Sequence, residues 1–362
     1  MKNKKVDYFI IFALILSLGG SIKYLLSYIN NKQTIDLVAC LIISTTFVAL
    51  IISLIIVKII KNKNKKIKGV IHLKIINTMD KIYDIYSNES FDINKWKDYI
   101  NNINPKIKKL CIQDMNEALN TGQVNYQMDF LPILNDVIKN KEKLLILQNN
   151  FNTVTYNLNE KIINKFGKPL SVEIVLYLGL CNGAGWVEKI DNKVYCLLGI
   201  EKILELNWYD INSLYGLIYH ELGHVYQNQY GLLERNFNDN KKQFLWQLFT
   251  EGIAMYFEQT LIGDYEYYHQ DKNGWKDWCD NNINQIINDF KTDLNSMTFD
   301  NQRYFGDWVY YHNHSDVGYY LGTKFVQYIC EKNSFDDILS FEIETVEKFF
   351  QGFNINISKN IK

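Results

Sequence analysis

The chain has 362 residues, of which 47% are hydrophobic and 14% aromatic, so it can bury a sizeable core and exceeds the usual single domain. Its formal net charge of −1 provides no electrostatic footprint for nucleic acid, and no nucleic-acid partner is expected. Six widely spaced cysteines include no Cys-x-x-Cys pair. This spacing argues against a disulfide framework or a thiolate zinc cluster, and it fits a reducing compartment.

Two apolar stretches near the N-terminus predict a membrane anchor over residues 1–68. Residues 37–57 are 21 consecutive uncharged and mostly apolar residues, long enough to cross a hydrocarbon core as a helix. Residues 8–29 predict a weaker first span, in which Lys23 can extend to one membrane surface, and an uncleaved signal-like segment is the alternative. Lysines precede the first span and follow the second, so the positive-inside rule places both termini in the cytoplasm. The lipid bilayer is therefore a predicted partner.

Residues 69–168 predict a helical spacer or accessory region. Apolar residues recur at helical spacing over 71–79, which favours a helix that continues the second span. Two or three further helices are expected within 90–165, with breaks at Asn104-Pro105 and Asn120-Thr-Gly122. We find no catalytic motif in this region. Packing against the following domain is its favoured role, and a plain spacer or a substrate-gating cap are the alternatives.

After Pro169 the pattern changes to short strands followed by a long helix. The predicted strands form a small antiparallel sheet and cover residues 171–179, 187–190 and 194–200, with a hairpin turn at Asp191-Asn192. The helix is predicted over 211–230, with Asn207 or Asp210 as its cap and Gly231 after its end.

This predicted helix carries the sequence His220-Glu221-Leu-Gly-His224. At 3.6 residues per turn, His220 and His224 lie on one face, where both imidazoles can reach a single metal ion. Glu221 lies between them and can polarise a metal-bound water without being a ligand itself. Polar residues at 227–229 argue against a helix that spans the membrane.

A third metal ligand is expected on a second helix. Residues 244–258 are an apolar stretch in which Glu251 is the single inner carboxylate, 27 positions after His224. This separation leaves room for a loop and an antiparallel return helix. Two imidazoles and one carboxylate make a zinc site with one position open for water, so one Zn²⁺ per chain is predicted. An ordinary solvated carboxylate is the alternative for Glu251.

The two segments together resemble the gluzincin metallopeptidases. Residues 250–258, Thr-Glu-Gly-Ile-Ala-Met-Tyr-Phe-Glu, resemble the Asn-Glu-Gly-Phe-Ala-x-Tyr-x-Glu segment of zinc aminopeptidases, with Thr250 in place of Asn. With the Gly-Ala-Gly-Trp turn at 183–186 included, the chain looks closer to bacterial predicted zinc-dependent proteases of unassigned substrate. The resemblance covers about 170–330. It implies an α+β fold, in which a mainly helical zincin-like domain with a small antiparallel sheet occupies 169–362.

The resemblance also implies roles for individual residues. His220, His224 and Glu251 would bind zinc, and Glu221 would act as the general base. Aminopeptidases of this clan supply a tyrosine that stabilises the developing oxyanion. Tyr319 is the matching residue here and Tyr320 the reserve, with packing aromatics as the alternative for both.

Substrate recognition is less defined by the sequence. The candidate substrate-binding residues are Gly185, Trp186, His314 and Tyr320. The aminopeptidase segment that reads a substrate amino terminus is absent, and Glu188 or Glu201 would be weak substitutes for it. An extended peptide could instead pair with the strand at 194–200, if this strand lies at a sheet edge.

The sequence therefore predicts a membrane-anchored, cytoplasm-facing zinc peptidase that acts on a peptide or protein substrate. The alternatives are a catalytically silent, zinc-stabilised binding or scaffold module at the membrane, and a zinc hydrolase that acts on a non-peptide amide.

Overall fold

The computed structural model describes residues 73–306 and 308–354, together with seven residues between 22 and 30. The chain divides into two compact units, Met1–Ile71 and His72–Lys362. In the first unit, the described residues are helical. No helix among the residues described is long and apolar enough to cross a membrane. The predicted span at 37–57 lies outside the described residues, as does most of the span predicted at 8–29, so both spans stay predictions.

The second unit is mainly helical with a small sheet, which confirms the predicted α+β class. Its strands are β1 (Leu73–Asn77), β2 (Tyr86–Ser87), β3 (Ser90–Phe91), β4 (Val172–Tyr177), β5 (Gly185–Ile190) and β6 (Lys193–Gly199). Its α-helices are α1 (Ile93–Ile103), α2 (Pro105–Asn120), α3 (Leu131–Asp136), α4 (Lys141–Thr155), α5 (Leu158–Phe166), α6 (Ile200–Glu205), α7 (Ile211–Tyr215), α8 (Glu221–Tyr230), α9 (Asn240–Ile262), α10 (Trp275–Asp293), α11 (Val317–Cys330), α12 (Phe335–Ile338) and α13 (Ile343–Gly352).

The main sheet has four strands in the order β1-β4-β6-β5 and is mixed. The predicted hairpin is confirmed: β5 and β6 are antiparallel, and φ is 50° at Asp191 and 64° at Asn192, as a type I′ turn requires. The prediction of a wholly antiparallel sheet is wrong, because β4 runs parallel to both β1 and β6. Most of β4 is buried, and this continuous burial is typical of a central parallel strand rather than an alternating antiparallel one.

The predicted helix over 71–79 is also wrong, since Leu73–Asn77 form strand β1 and pair in parallel with β4. A short apolar run does not separate a helix from a strand by periodicity alone, and the β-branched Ile75 and Ile76 suit a pleated surface. The region predicted to be a helical spacer thus contributes an edge strand to the sheet. The functional division at residue 168 stays a prediction.

The strand predicted as a possible edge at 194–200 lies in the interior of the sheet. Strand β6 pairs with β4 on one side and with β5 on the other, so its backbone groups are already used. Among the described strands, β5 is the edge at this end of the sheet.

Residues 93–166 contain five α-helices instead of the two or three predicted. The break at Asn104-Pro105 is confirmed, because the Asn104 side chain accepts a hydrogen bond from Lys106 N and Pro105 begins α2. The break at Asn120-Thr-Gly122 is also confirmed, because α2 ends at Asn120 and Gly122 adopts a left-handed φ of 71°. A further break, between α4 and α5, arises at Asn157, which adopts a left-handed φ of 50°.

Glycines bring the central helices into close contact. A Cβ atom at Gly223 of α8 would lie 2.6 Å from the Ala254 Cα atom of α9. A Cβ atom at Gly252 of α9 would lie 2.2 Å from the carbonyl oxygen of Gly322 in α11. Neither contact would accommodate a side chain, so these glycines let α9 pack at backbone distance between α8 and α11.

Candidate metal centre

The helix that carries the two histidines is the predicted one over 211–230, with a local irregularity. The Asp210 side chain caps α7 by accepting hydrogen bonds from Asn212 N and Ser213 N. A π-helical turn, Gly216–His220, then joins α7 to α8, which ends at Tyr230. The π-turn places one of the two histidines at the junction, and such turns occur often at functional sites.

His220, His224 and Glu251 converge between α8 and α9. The Nε2 atom of His220 lies 3.1 Å from Oε2 of Glu251, and Nε2 of His224 lies 3.3 Å from the same oxygen. One ligand atom from each of the three residues lies within 4.8 Å of the others. This is the one such group of three or more potential ligands within the part of the chain that the structure describes.

The geometry fits a tetrahedral zinc ion. Zinc–nitrogen and zinc–oxygen bonds of about 2.1 Å at a tetrahedral angle separate two ligand atoms by about 3.3–3.4 Å. The two His–Glu distances, 3.1 and 3.3 Å, are close to this edge length. The three side chains are also largely buried, with exposed fractions of 9%, 18% and 16% for His220, His224 and Glu251. The residues present therefore fit the metal that the sequence predicts.

The charges of this cluster are strongly coupled. Burial alone would raise the pKa of Glu251, but the charge of His224 and hydrogen bonds with both imidazoles hold that pKa well below its ordinary value. Burial alone would lower the pKa of His224, but the neighbouring Glu251 carboxylate raises it. The site is thus arranged to hold positive charge against Glu251, which is the electrostatic requirement for a bound cation.

Glu221, the first residue of α8, acts electrostatically on the sheet and on one of the clustered histidines. Burial, and after it the charge of Glu221, raise the pKa of Cys196 in β6. Glu221 also contributes to the raised pKa of His224. The carboxylate therefore lies within electrostatic range of both a metal-site histidine and the neighbouring sheet.

The two candidate tyrosines occupy different environments. The Tyr319 ring lies 5.6 Å from the His220 ring, centroid to centroid. Tyr320 is buried, and its hydroxyl donates a hydrogen bond to Asp280 of α10. Consecutive helical residues point in directions about 100° apart, so only one can face the cluster. The assignment of Tyr320 as a substrate-binding residue is wrong, because its side chain belongs to the core.

Two of the remaining candidates lie on the edge strand. Gly185 begins β5, and a Cβ atom there would lie 3.0 Å from the Leu217 side chain of the π-turn, so the strand passes directly beside the helix with the histidines. Trp186 is partly exposed, and its indole N–H donates to the Tyr177 hydroxyl at 3.4 Å. Both residues thus belong to the strand that lies beside the helix with the histidines.

The other candidates are held elsewhere. The His314 ring stacks on Trp278 of α10 at 4.0 Å, and its backbone forms a bridge with Tyr311. Glu201 is 1% exposed and accepts hydrogen bonds from Gly179 N and Cys181 N, so it is wrong as a reader of a substrate amino terminus.

Sequence reasoning missed a second polar pair beside the cluster. The Nδ1 atom of His269 lies 2.9 and 3.1 Å from the two carboxylate oxygens of Glu258, and the His269 ring lies 5.8 Å from the His220 ring. His269 has no neighbouring motif in the sequence. Glu258 was the sequence feature that could have indicated this pair. It follows Glu251 by seven residues, about two helical turns, so the two carboxylates share one helix face.

Comparisons with known proteins agree with this site. A family model described as "Putative zinc dependent peptidase (DUF5700)" matches residues 146–359, more than half of the chain and including all three clustered residues. Comparisons with curated proteins and with solved structures gave no match. The resemblance to zinc metallopeptidases is thereby confirmed at the level of the family, and the chain belongs to the family that this model describes.

Proposed function

We propose that the protein is a membrane-anchored zinc peptidase in which His220, His224 and Glu251 bind one Zn²⁺. The observation that carries the proposal is the convergence of their ligand atoms within 4.8 Å, with His–Glu distances that suit tetrahedral coordination. The match to a zinc-dependent peptidase family supports the same activity.

The bound metal, Glu221 and Tyr319 have separate roles in the proposed hydrolysis. The chemistry that zinc supplies when bound is Lewis acidity and a lowered pKa of water near the scissile carbonyl. Glu221 takes the proton from the attacking water and delivers it to the leaving amine. Tyr319, beside His220, donates a hydrogen bond to the oxyanion that develops during the attack.

Strand β5 is the proposed binding surface for an extended peptide. Among the described strands it is the free edge at this end of the sheet, and Gly185 carries it past the π-turn that ends at His220. An added peptide strand would bind mainly through backbone hydrogen bonds, which gives affinity without strong side-chain selectivity.

The anchor and its orientation belong to the same proposal. They rest on the two apolar stretches, 8–29 and 37–57, and on the lysines that flank them. A reporter fused after residue 362 is expected to behave as cytoplasmic. A signal from outside the cell would overturn the orientation and make the catalytic domain a surface protease.

The decisive experiment is Glu221→Gln in the full-length chain, assayed on a peptide library with and without a chelator. We expect zinc to remain bound and the rate of hydrolysis to fall by about 10²–10⁴-fold, since a general base contributes about that much. Glu117→Gln is the matched control, because Glu117 is an exposed carboxylate on α2.

The alternatives would give different results. A silent zinc-stabilised module would bind zinc in the wild type without hydrolysing any peptide. A hydrolase for non-peptide amides would cleave such amides, but not the library, in a Glu221-dependent manner. An undiminished rate in Glu221→Gln would contradict the mechanism itself.

A further inference from the structure

Glu258 and His269 form a pair that the catalytic scheme does not use. The Glu258 side chain is fully buried on α9, and both of its oxygens lie within hydrogen-bonding distance of His269 Nδ1, at 2.9 and 3.1 Å. His269 is its one ion-pair partner among the described residues. A buried carboxylate is costly unless it is paired, so the presence of Glu258 indicates that His269 is fixed in this position.

The pairing also fixes which nitrogen of His269 is available. Because a carboxylate accepts, the Nδ1–H group donates to Glu258, and Nε2 is left as an acceptor in the neutral ring. In the described part of the chain, Nε2 has no hydrogen-bond partner. The side chain of His269 is 24% exposed. Its Nδ1 is held by Glu258, and its Nε2 is available to accept a further hydrogen bond.

The loop that carries His269 is attached to α9 and to α7, the helix that the π-turn joins to α8. Gln259 of α9 donates a hydrogen bond to the carbonyl of Tyr267 at 2.8 Å, and the Tyr267 hydroxyl donates to the carbonyl of Asn212 at 3.0 Å. The His269 ring lies against Gly216, where a Cβ atom would be 2.5 Å from the ring. The first residue of the π-turn therefore has to be glycine for the imidazole to lie there.

His220, the nearer metal-site histidine, lacks a partner at its second nitrogen. Its Nε2 faces Glu251, and its Nδ1 is buried without a hydrogen-bond partner among the described groups. Metal-binding histidines almost always donate this second N–H to a carboxylate, a carbonyl or a water. Burying a donor without a partner costs free energy, so Nδ1 of His220 requires a hydrogen-bond acceptor. The His220 and His269 rings are 5.8 Å apart at an interplanar angle of 76°.

We propose that His269 is a positioning residue for His220. His220 Nδ1–H donates to one ordered water, the water donates to Nε2 of His269, and His269 Nδ1–H donates to Glu258. Both imidazole N–H groups in this series then meet an acceptor, and the series fixes the tautomer in which Nε2 of His220 binds metal. The inference rests on the proposed zinc site and assigns the buried Glu258 a role in its affinity.

The test is the zinc affinity of His269→Phe in the full-length protein, measured by competition with a chromogenic chelator. Phenylalanine retains a flat ring over Gly216 but lacks the accepting nitrogen. We expect zinc binding to weaken by about 10–100-fold, the usual effect of removing an outer partner of a ligand. His312→Phe is the matched control: it makes the same replacement at an exposed histidine and should leave the affinity unchanged.

Glu258→Gln is the second variant. Circular dichroism of the metal-free protein shows whether His269→Phe folds. If it does not fold, the zinc affinity of Glu258→Gln decides the test. The amide oxygen still accepts from His269 but carries no charge, so a smaller loss of zinc affinity is expected. Wild-type affinity in both variants would overturn the positioning role. Wild-type zinc affinity combined with a reduced kcat/KM would also overturn the positioning role, and would indicate instead that His269 contacts the substrate. A wild type that binds no zinc would instead refute the metal centre itself, and the positioning role with it.

Discussion

Glu251 and Glu201 are two buried carboxylates in one compact unit, yet their pKa values move in opposite directions. Burial raises the pKa of Glu201 to about 7, against three backbone N–H groups that favour the charged form. Burial also acts on Glu251, but the two histidines overcome it and hold the pKa below its ordinary value. The charge of the partners, more than the depth of burial, therefore distinguishes the carboxylate of the proposed metal site from a structural carboxylate.

Tyr319 and Tyr320 repeat this contrast between neighbours in sequence. Tyr320 is buried against Tyr268 and Trp275 and bonds to Asp280, whereas Tyr319 lies beside His220. In both pairs, one member lies in the core away from the three clustered residues, and the other lies beside or within that cluster.

The largest expected effect is on zinc content. Glu251→Gln removes the one anionic ligand, so we expect loss of zinc at equimolar metal and loss of hydrolysis. Glu201→Gln should retain stoichiometric zinc. Metal analysis of both purified variants measures this, and zinc retained by Glu251→Gln would remove the distinction drawn between the two carboxylates.

Next in size is the effect of removing a tyrosine hydroxyl. Tyr319→Phe is expected to lower kcat by about 10²–10³-fold with zinc still bound, the usual result of deleting an oxyanion donor. Tyr320→Phe should leave kcat near the wild-type value and lower the free energy of unfolding by about 1 kcal/mol through the lost bond to Asp280. A reversed pattern of kcat losses would assign the catalytic hydroxyl to Tyr320.

The pH dependence of the free energy of unfolding should reveal the titration of Glu201. Its pKa of about 7 in the folded protein exceeds its ordinary value of 4.5, so the folded state binds this proton more tightly. The resulting stabilisation is fully present below about pH 4.5 and is lost as the pH rises to about 7, by at most about 3 kcal/mol. Urea unfolding of wild type and Glu201→Gln across this range should show a flatter slope in the variant. Equal slopes would exclude Glu201 as the titrating group.

Stabilisation by metal is expected to be slightly smaller than the effect of Glu201 titration. At a free zinc concentration one hundred times Kd, the free energy of unfolding should rise by about 2.7 kcal/mol, and a chelator should reverse the rise. Thermal unfolding of Glu251→Gln should not respond to zinc at that concentration. A matching rise in this variant would indicate zinc bound away from the cluster.

Local patterns were enough to predict the metal cluster and the hairpin. Helical spacing puts His220 and His224 on one face, Glu251 stands out on an apolar helix, and Asp191-Asn192 suits a two-residue turn. Each of these signals lies within a few residues of the structure that it specifies.

Long-range pairing could not be predicted in the same way. Strand β1 joins β4 across about 100 residues, and a five-residue apolar run specifies neither its partner nor its direction. The pairing of His269 with Glu258 depends on the path of a loop, which no periodicity encodes. The buried position of Tyr320 depends likewise on the packing of α10 against α11.

The contact between Gly252 and Gly322 links the helices that carry Glu251 and Tyr319. Gly252 follows Glu251, the proposed zinc ligand, on α9, and Gly322 follows Tyr319 by three residues, about one turn, on α11. Backbone touches backbone here, so the helices have no side-chain layer through which to slide or rotate. This crossing acts as a common alignment point, and any residue larger than glycine there would shift the hydroxyl of Tyr319 and the carboxylate of Glu251 relative to each other.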